Sequence, residues 1–393
     1  MPLPPPEFDQ EMMRRAIALA TGGRGRVEPN PLVACVLVKD LRVIGEGFHS
    51  RFGGPHAEPT ALAACAESPD GATAYVTLEP CCHTNKKTPP CVPALIDARV
   101  ARVVVGCVDP NPDVNGKGLD LLRTVGVRVD VNVLEDSAKQ LISPFVAQVV
   151  YDRPYVTLKW AESADGKVAG PRGTRLQISN PLSSRLVHEL RARCDAVMVG
   201  INTVLADDPL LTARDVAGAR PLLRVVLDSQ LRIPLQSKLV RTAQQHRLIV
   251  EFDRALAPAE QPKLRALQQA GAQPFLVDRR HDGLNLEQIL QPLAHFGVSH
   301  VLVECGPRLA HSFFEHDLAD RVWVIRSSSV HVDDPTAPAG IGIPGSYRKT
   351  GELNLDGDHL TEYLNPASPV FFAAEPSPDF LLARRSATAP ATS

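Results

Sequence analysis

The sequence predicts two α/β domains in succession, and three observations carry that expectation. A chain of 393 residues exceeds what one hydrophobic core usually organises. Short apolar runs of strand length alternate with stretches of helical period along most of the chain, the pattern of a largely parallel sheet covered by helices. The alternation breaks at Asp152-Arg153-Pro154, where the proline disfavours helix in the residue before it. A first domain is therefore expected over residues 1–150 and a second over 151–382. The tail, 383–393, is expected to be disordered, because its Ala, Arg, Ser, Thr and Pro residues are too small or too polar to pack well.

In the first domain, residues 8–21 place Met12, Met13, Ala16, Ile17 and Ala20 at helical spacing, and 32–38 is a continuous apolar run that reads as a buried strand. Helix follows at 57–66, strand at 74–78, helix at 92–98, strand at 100–106, helix at 119–125 and strand at 127–133, and a last helix spans 135–150. In the second domain the strand-like runs are 155–160, 196–200, 222–228, 247–252 and 300–304, with helices at 181–193 and 287–296. No internal repeat of fixed period is visible.

Composition narrows the function classes. Hydrophobic residues make up 44% and charged residues 22% of the chain, and no apolar run reaches the roughly 18 residues that a spanning helix needs. The start of the chain is proline-rich and acidic, unlike a secretory signal, which makes a cytoplasmic protein the expectation. Lys plus Arg number 42 against 44 for Asp plus Glu, a net charge of -2 without a dense basic stripe, so nucleic acid is not an expected partner. Eight cysteines are few for this length, and Cys81, Cys82 and Cys91 crowd together, which points to a metal rather than a disulfide framework.

Two segments supply what a hydrolytic zinc site needs: His56-Ala57-Glu58, and the stretch from Glu79-Pro80-Cys81-Cys82-His83 to Thr88-Pro89-Pro90-Cys91. One imidazole and two thiolates make three ligands, leaving the fourth tetrahedral position open for water. His56 and Cys91 stand at predicted helix starts, whose positive potential favours thiolates and other anions. Glu58, two residues beyond His56, can shuttle protons without being a ligand, as in nucleobase deaminases with a His-x-Glu signature. The alternative is a closed structural site that recruits Cys82 or His83 as a fourth ligand. Neighbouring residues point apart, so Cys81 and Cys91 are assigned the metal and Cys82 packing. His49 and His83 are either ordinary polar histidines or substrate contacts.

The second half lacks a glycine-rich turn between its first strand and first helix. Gly340-Ile341-Gly342-Ile343-Pro344-Gly345 fits G-x-G-x-x-G in letters, but Pro335 and Pro338 precede it and no helix follows, so it reads as a loop. Thr203 to Arg214 and Glu304-Cys305-Gly306-Pro307 instead follow strands, where open α/β sheets place ligand sites. Turn-forming roles for Asp207 and Asp208 are the alternative.

These residues resemble a bifunctional riboflavin-biosynthesis family that joins a diaminohydroxyphosphoribosylaminopyrimidine deaminase to a 5-amino-6-(5-phosphoribosylamino)uracil reductase. The likeness covers most of the chain. It includes Pro29-Asn30-Pro31, His49 with Gly53 and Gly54, His56-Ala57-Glu58, Leu78-Glu79-Pro80-Cys81, Thr88-Pro89-Pro90-Cys91 and Asp109-Pro110-Asn111-Pro112. In the second half it includes Tyr155 to Lys159, Ser163 to Lys167, Thr203 to Arg214 and Leu302 to Pro307. The resemblance implies a cytidine-deaminase-like three-layer domain followed by a dihydrofolate-reductase-like domain.

It also implies one zinc ion per chain on His56, Cys81 and Cys91, with Glu58 as the proton shuttle. Asn30, His49, His83 and Lys87 would approach the deaminase substrate. In the second half Thr203, Asp207 and Gly306 would touch NADPH, and Arg191, Leu211, Arg214 and Glu304 would hold the sugar phosphate or pyrimidine, arginine being suited to a bidentate grip on phosphate. A homo-oligomer, dimer or tetramer, is expected. The chain departs from the family in four places: a loop between Cys81 and Cys91 that is one residue longer, Gln177-Ile178-Ser179 where Trp-Ile-Thr is common, Glu304-Cys305-Gly306 where Glu-Gly-Gly is usual, and the region after Ile325, which lacks the expected pattern. A deaminase whose second half has lost turnover, and a zinc-stabilised binding protein without chemistry, are the competing expectations.

Overall fold

The computed structural model describes residues 4–83, 88–112, 114–373 and 375–388. They form two compact units that part between Tyr151 and Asp152. Among the described residues no helix is long and apolar enough to cross a membrane.

The first unit contains helices α1 (Pro6–Ala20), α2 (Ala57–Ala63), α3 (Cys91–Asp97), α4 (Lys117–Thr124), α5 (Glu135–Leu141) and α6 (Ser143–Tyr151) and strands β1 (Ala34–Lys39), β2 (Arg42–Phe48), β3 (Thr73–Leu78), β4 (Arg102–Cys107) and β5 (Arg128–Asp130). The sheet runs β2-β1-β3-β4-β5. Side chains alternate across it: Cys35, Leu37, Ala74, Val76, Val103 and Val105 join the core under α2, α3 and α4. Helices α1 and α5 cover the other face. Buried Asp9 fixes α1 there, accepting from Tyr75 Oη at 2.6 Å and from the two Arg102 Nη atoms at 2.8 and 2.7 Å.

Two expectations are corrected here. The sheet is mixed, because an unanticipated strand, β2, pairs antiparallel with β1, which itself runs antiparallel to β3. The connecting residues Asp40 and Leu41 both take positive φ (51° and 59°), a two-residue hairpin geometry that Asn-Gly or Asp-Gly normally announces and Asp-Leu does not. The helix expected over 135–150 is two helices, since Pro144 lacks the N–H that would continue α5 and instead sits in the first turn of α6.

The second unit is built on nine strands: β6 (Tyr155–Glu162), β7 (Ala196–Gly200), β8 (Leu223–Leu227), β9 (Leu248–Asp253), β10 (Gln273–Val277), β11 (His300–Glu304), β12 (Arg321–Arg326), β13 (Arg348–Leu355) and β14 (Asp358–Leu364). Their order is β10-β9-β8-β7-β11-β6-β12-β14-β13, parallel from β10 to β12 and antiparallel at β14 and β13. Helices α7 (Pro181–Arg193), α8 (Ile201–Asp207), α9 (Lys238–Arg241), α10 (Gln261–Gln269) and α13 (Pro378–Thr388) contribute buried or packed residues to one core. Helices α11 (Leu286–His295) and α12 (Pro307–Glu315) contribute to the other. The β13–β14 hairpin turns at Asp356-Gly357, both with positive φ.

The disorder expected from residue 383 is also corrected. Helix α13 continues through Thr388, with Phe380 and Ala383 fully buried and Asp379 paired with Arg321 at 2.8 Å. A few buried contacts fix this helix despite an average composition too polar to announce it. Residues 389–393 lie outside the described part of the chain.

Candidate functional site

In the first unit, three elements bring the expected ligands together. His56 is the extended residue before α2, Cys81 follows the end of β3, and Cys91 is the first residue of α3. Nδ1 of His56 lies 3.5 Å from Cys81 Sγ and 3.3 Å from Cys91 Sγ, and the donor atoms of all three lie within 4.8 Å of one another. Tetrahedral zinc with ordinary bond lengths sets nitrogen and sulfur ligands about 3.6 Å apart. The donor set fits zinc in type, number and spacing. Among the described residues it is the only such His/Cys/Asp/Glu group. Cys82, by contrast, packs against the core beneath the helices.

Glu58 lies in the first turn of α2, 2% exposed, hydrogen-bonded to Cys91 and close to Cys81. Burial, then the neighbouring Cys81, pushes its carboxyl up. His49 donates from Nδ1 to the Pro55 carbonyl at 2.9 Å, so Nε2 is the acceptor for Asn30 Nδ2 at 3.1 Å. The His49 ring meets His56 edge to face with centroids 5.3 Å apart. Asn30 and His49 thus adjoin the centre as a pair, with both ring nitrogens of His49 engaged. His83 is half-buried, and its Nδ1 is buried with no hydrogen-bond partner among the described residues. Lys87 lies outside the described residues.

Sequence reasoning overlooked two supports. Thr88 Oγ1 lies 2.9 Å from His56 Nε2, the ring nitrogen turned away from the thiols. Glu79, buried to 3%, accepts backbone N–H bonds from Asp109, Gly116 and Gly118 at 3.2, 2.8 and 2.9 Å, which pins the Asp109 to Gly118 loop beside the Cys81 segment. Glu79 precedes Pro80-Cys81, so its place in the motif was the available signal.

In the second unit, a cavity of about 1120 Å³ lies across the carboxyl ends of β6, β11, β7 and β8. Every residue expected there lines it: Thr203, Asp207, Leu211, Arg214, Arg191, Glu304 and Gly306. Its volume exceeds the ~300–1,000 Å³ usual for one drug-sized ligand, as suits a dinucleotide beside a sugar phosphate. Gly306 precedes α12 without a side-chain cap, leaving backbone N–H groups at the helix start for phosphate. The cavity residues fit NADPH on these grounds.

The polar end of the cavity is an ion pair. Arg191 grips Glu304 bidentately, Nε to Oε1 at 2.5 Å and Nη2 to Oε2 at 2.8 Å, and its Nη1 donates to the Thr212 carbonyl at 3.2 Å. Burial pushes the Glu304 carboxyl up, but Arg191 outweighs it and holds the group down to about 2. Lys159, which sequence reasoning did not single out, lines the same end, and burial lowers its ammonium. Arg214 reaches His188 through its backbone N–H and its guanidinium. Leu211 is buried at a φ of 55°, a strained conformation for a leucine. Behind the same turn, fully buried Arg224 donates to the carbonyls of Leu210, Leu239, Thr242, Arg247 and His246.

Two of the departures, at Gln177 and Cys305, fall on the cavity wall. Gln177 lines it and donates to the Ser179 carbonyl at 2.8 Å. Cys305 lines it but is only 8% exposed and belongs to the core beneath, where burial pushes its thiol up to about 12. Gly340 closes the wall near Glu162 and Gly166. The Gly340 to Gly345 stretch is a loop.

Comparison with known proteins relates both units to known families. Residues 6–107 match the cytidine and deoxycytidylate deaminase zinc-binding region, and residues 154–330 match the RibD C-terminal domain. The riboflavin biosynthesis protein RibD of Aquifex aeolicus is 40% identical over 318 residues, covering 81% of this chain and 86% of that one. Its counterpart in Escherichia coli strain K12 is 37% identical over 329 residues, covering 80% and 86%. Among solved structures, Acinetobacter baumannii RibD superposes with a TM-score of 0.80 at 34% identity, covering 92% of this chain and 99% of that one. The units are accordingly a cytidine-deaminase-like domain that binds zinc and a dihydrofolate-reductase-like domain that uses NADPH. On this combined similarity, the chain belongs to the RibD family of bifunctional deaminase–reductases of riboflavin biosynthesis.

Proposed function

We propose that the chain acts twice on one phosphoribosylated pyrimidine, deaminating 2,5-diamino-6-(5-phosphoribosylamino)pyrimidin-4-one and then reducing its ribosyl chain to a ribityl chain. The solved Thermotoga maritima protein described as a diaminohydroxyphosphoribosylaminopyrimidine deaminase/5-amino-6-(5-phosphoribosylamino)uracil reductase supports this substrate, at 35% identity and a TM-score of 0.77 over 92% of this chain and 99% of that one. The first step belongs to the first unit and the second to the second unit. The observation that carries the proposal is the convergence of His56, Cys81 and Cys91 beside buried Glu58.

In the deaminase, His56, Cys81 and Cys91 hold zinc. Zinc when bound supplies the Lewis acidity that makes water nucleophilic near neutral pH. Glu58 carries one proton of the attacking water to the ring nitrogen and then the second, from the newly added hydroxyl, to the amine, which departs as ammonia as the carbonyl forms. Asn30, oriented by His49, meets the pyrimidine edge, and His83 and Lys87 approach it from the Cys81 to Cys91 loop. In the reductase, NADPH when bound supplies hydride for the sugar carbon attached to the pyrimidine. Thr203, Asp207 and the bare Gly306 backbone contact the cofactor. Leu211 and Arg214, with the Arg191–Glu304 pair, hold the substrate. The protein works in the cytoplasm as a homo-oligomer.

The test is ammonia release and NADPH oxidation on the diaminopyrimidine ribosyl phosphate, using protein of measured zinc content. Ammonia followed by NADPH consumption is expected. Ammonia without NADPH oxidation at any protein concentration would reduce the second unit to a non-catalytic partner. Glu58→Gln should lower ammonia release by about 10²- to 10⁴-fold while zinc content stays unchanged.

A further inference from the structure

At the edge of the second unit's cavity, which Asp282 lines, five titratable side chains form a continuous relay between the loop before α11 and the last turns of α12. Asp282 lies at its base with its side chain 10% exposed. Its Oδ2 meets His316 Nε2 at 3.0 Å. Its Oδ1 is buried with no hydrogen-bond partner among the described residues and stands 3.9 Å from His281 Nδ1. On the far side of that ring, His281 Nε2 lies 3.3 Å from Glu315 Oε1, and the other oxygen, Glu315 Oε2, lies 3.8 Å from His311 Nε2. His281 and His311 are open to solvent, at 75% and 78% side-chain exposure.

We propose that His281, Glu315 and His311 form a second divalent-cation site, unrelated to the catalytic zinc, with Asp282 orienting His281 from behind. Three independent features converge on it. His311 and Glu315 are four residues apart on α12, the spacing that puts two donors on one helix face. Donors sharing a tetrahedral first-row cation sit about 3.3–3.5 Å apart. The His281–Glu315 separation already falls there, while the three donors do not yet all lie within 4.8 Å of one another, so closing the site requires the exposed His311 ring to rotate towards the other two. Metal-binding histidines usually give their second ring N–H to a carboxylate, which fixes the ring and raises its basicity. The unpartnered Oδ1 of Asp282 supplies that acceptor, and His316 holds the carboxylate in place.

Two imidazoles and one carboxylate suit zinc, nickel or copper rather than calcium or magnesium, which prefer all-oxygen sets. A cation here would tie the loop carrying Asp282, Gly283 and Leu284, all of which line the reductase cavity, to the carboxyl end of α12.

The full-length protein with its catalytic zinc in place is dialysed against micromolar zinc, or separately nickel, and bound metal is counted by elemental analysis. Binding is also followed by calorimetry. One equivalent beyond the catalytic ion is expected. In the His281→Ala/His311→Ala double variant this second equivalent should bind at least about tenfold more weakly, with the first retained. Asp282→Asn should weaken it severalfold, which isolated surface histidines would not show. Absence of a second equivalent in the parent, or its survival in the double variant, overturns the site. Unchanged affinity in Asp282→Asn overturns the orienting role.

Discussion

The support behind His56 gives the sharpest test of how the metal centre is held. Cys81 and Cys91 both face Nδ1, so the ring proton is left to Nε2, which can only donate it to Thr88 Oγ1 at 2.9 Å. Thr88→Val keeps the branched shape and removes the acceptor. Thr88→Ser keeps the acceptor and removes a methyl group. A hydrogen bond of this kind contributes about 0.5–1.5 kcal/mol net, and removing an outer partner of a metal-bound histidine costs about 10- to 100-fold in affinity. About a tenfold loss of zinc affinity is therefore expected in the valine variant and little change in the serine variant. Competition with a chelator of known zinc affinity, on the full chain, measures both. Equal affinity in Thr88→Val and the parent, or equal losses in the two variants, would refute the argument that this hydroxyl fixes the imidazole.

The other predictions concern the second unit and the fit of the first. Arg191→Ala strands a carboxylate that is 17% exposed, which should destabilise the protein by about 3–5 kcal/mol or force Glu304 to take a proton. In the parent, Glu304 titrates near 2 in the fold and near 4.5 unfolded, so its stabilisation is present above about pH 4.5 and lost as pH falls towards 2. Acid unfolding curves should lose that window in the variant. Glu251 has the opposite sign: burial pushes its carboxyl up to about 8 from 4.5, so the folded state keeps a proton that the unfolded chain releases, and stability falls as pH rises between those values. Glu251→Gln should flatten that fall, by at most about 5 kcal/mol at 1.36 kcal/mol per pH unit, and if the group is in fact ionised, urea unfolding would give parent and variant the same change in stability between about pH 5 and pH 8.5. Gly118→Ala would drive a methyl group into the Pro80 carbonyl oxygen. Lower thermal stability together with weaker zinc retention is expected, and an unchanged melting temperature would show that the Glu79-pinned loop gives way freely.

The sequence made the metal ligands legible because their chemistry is rare and their positions are structural: the residue before one helix, the first residue of another and the segment after a strand all face the same end of a sheet. It could not reveal Thr88, since a hydroxyl in a loop has no pattern until the ring it serves is placed. Lys159 stayed hidden within a strand whose neighbours Leu158 and Trp160 read only as core. Arg224 is the extreme case, a buried guanidinium satisfied by backbone carbonyls brought together from separate loops. The β13–β14 hairpin, in contrast, was announced by Asp356-Gly357, whereas the Asp40-Leu41 turn broke the usual turn chemistry and concealed β2.

The cysteine at position 305 shows why a substitution in a motif has to be judged by its direction as well as its size. A side chain added where family members carry glycine would obstruct a phosphate only if it pointed at the cavity. Here β11 ends at Glu304, and the alternation of the strand sends the carboxylate of Glu304 to Arg191 while the next side chain turns to the opposite core. Cys305 consequently buries its sulfur among apolar residues, with Sγ 3.9 Å from the Lys159 carbonyl oxygen. Gly306, with no atom within 4 Å of the place where a Cβ would stand, keeps bare backbone at the start of α12. The phosphate-facing feature of the motif therefore resides in the second glycine, which this chain retains, and the replaced first glycine lies at a position the core can fill.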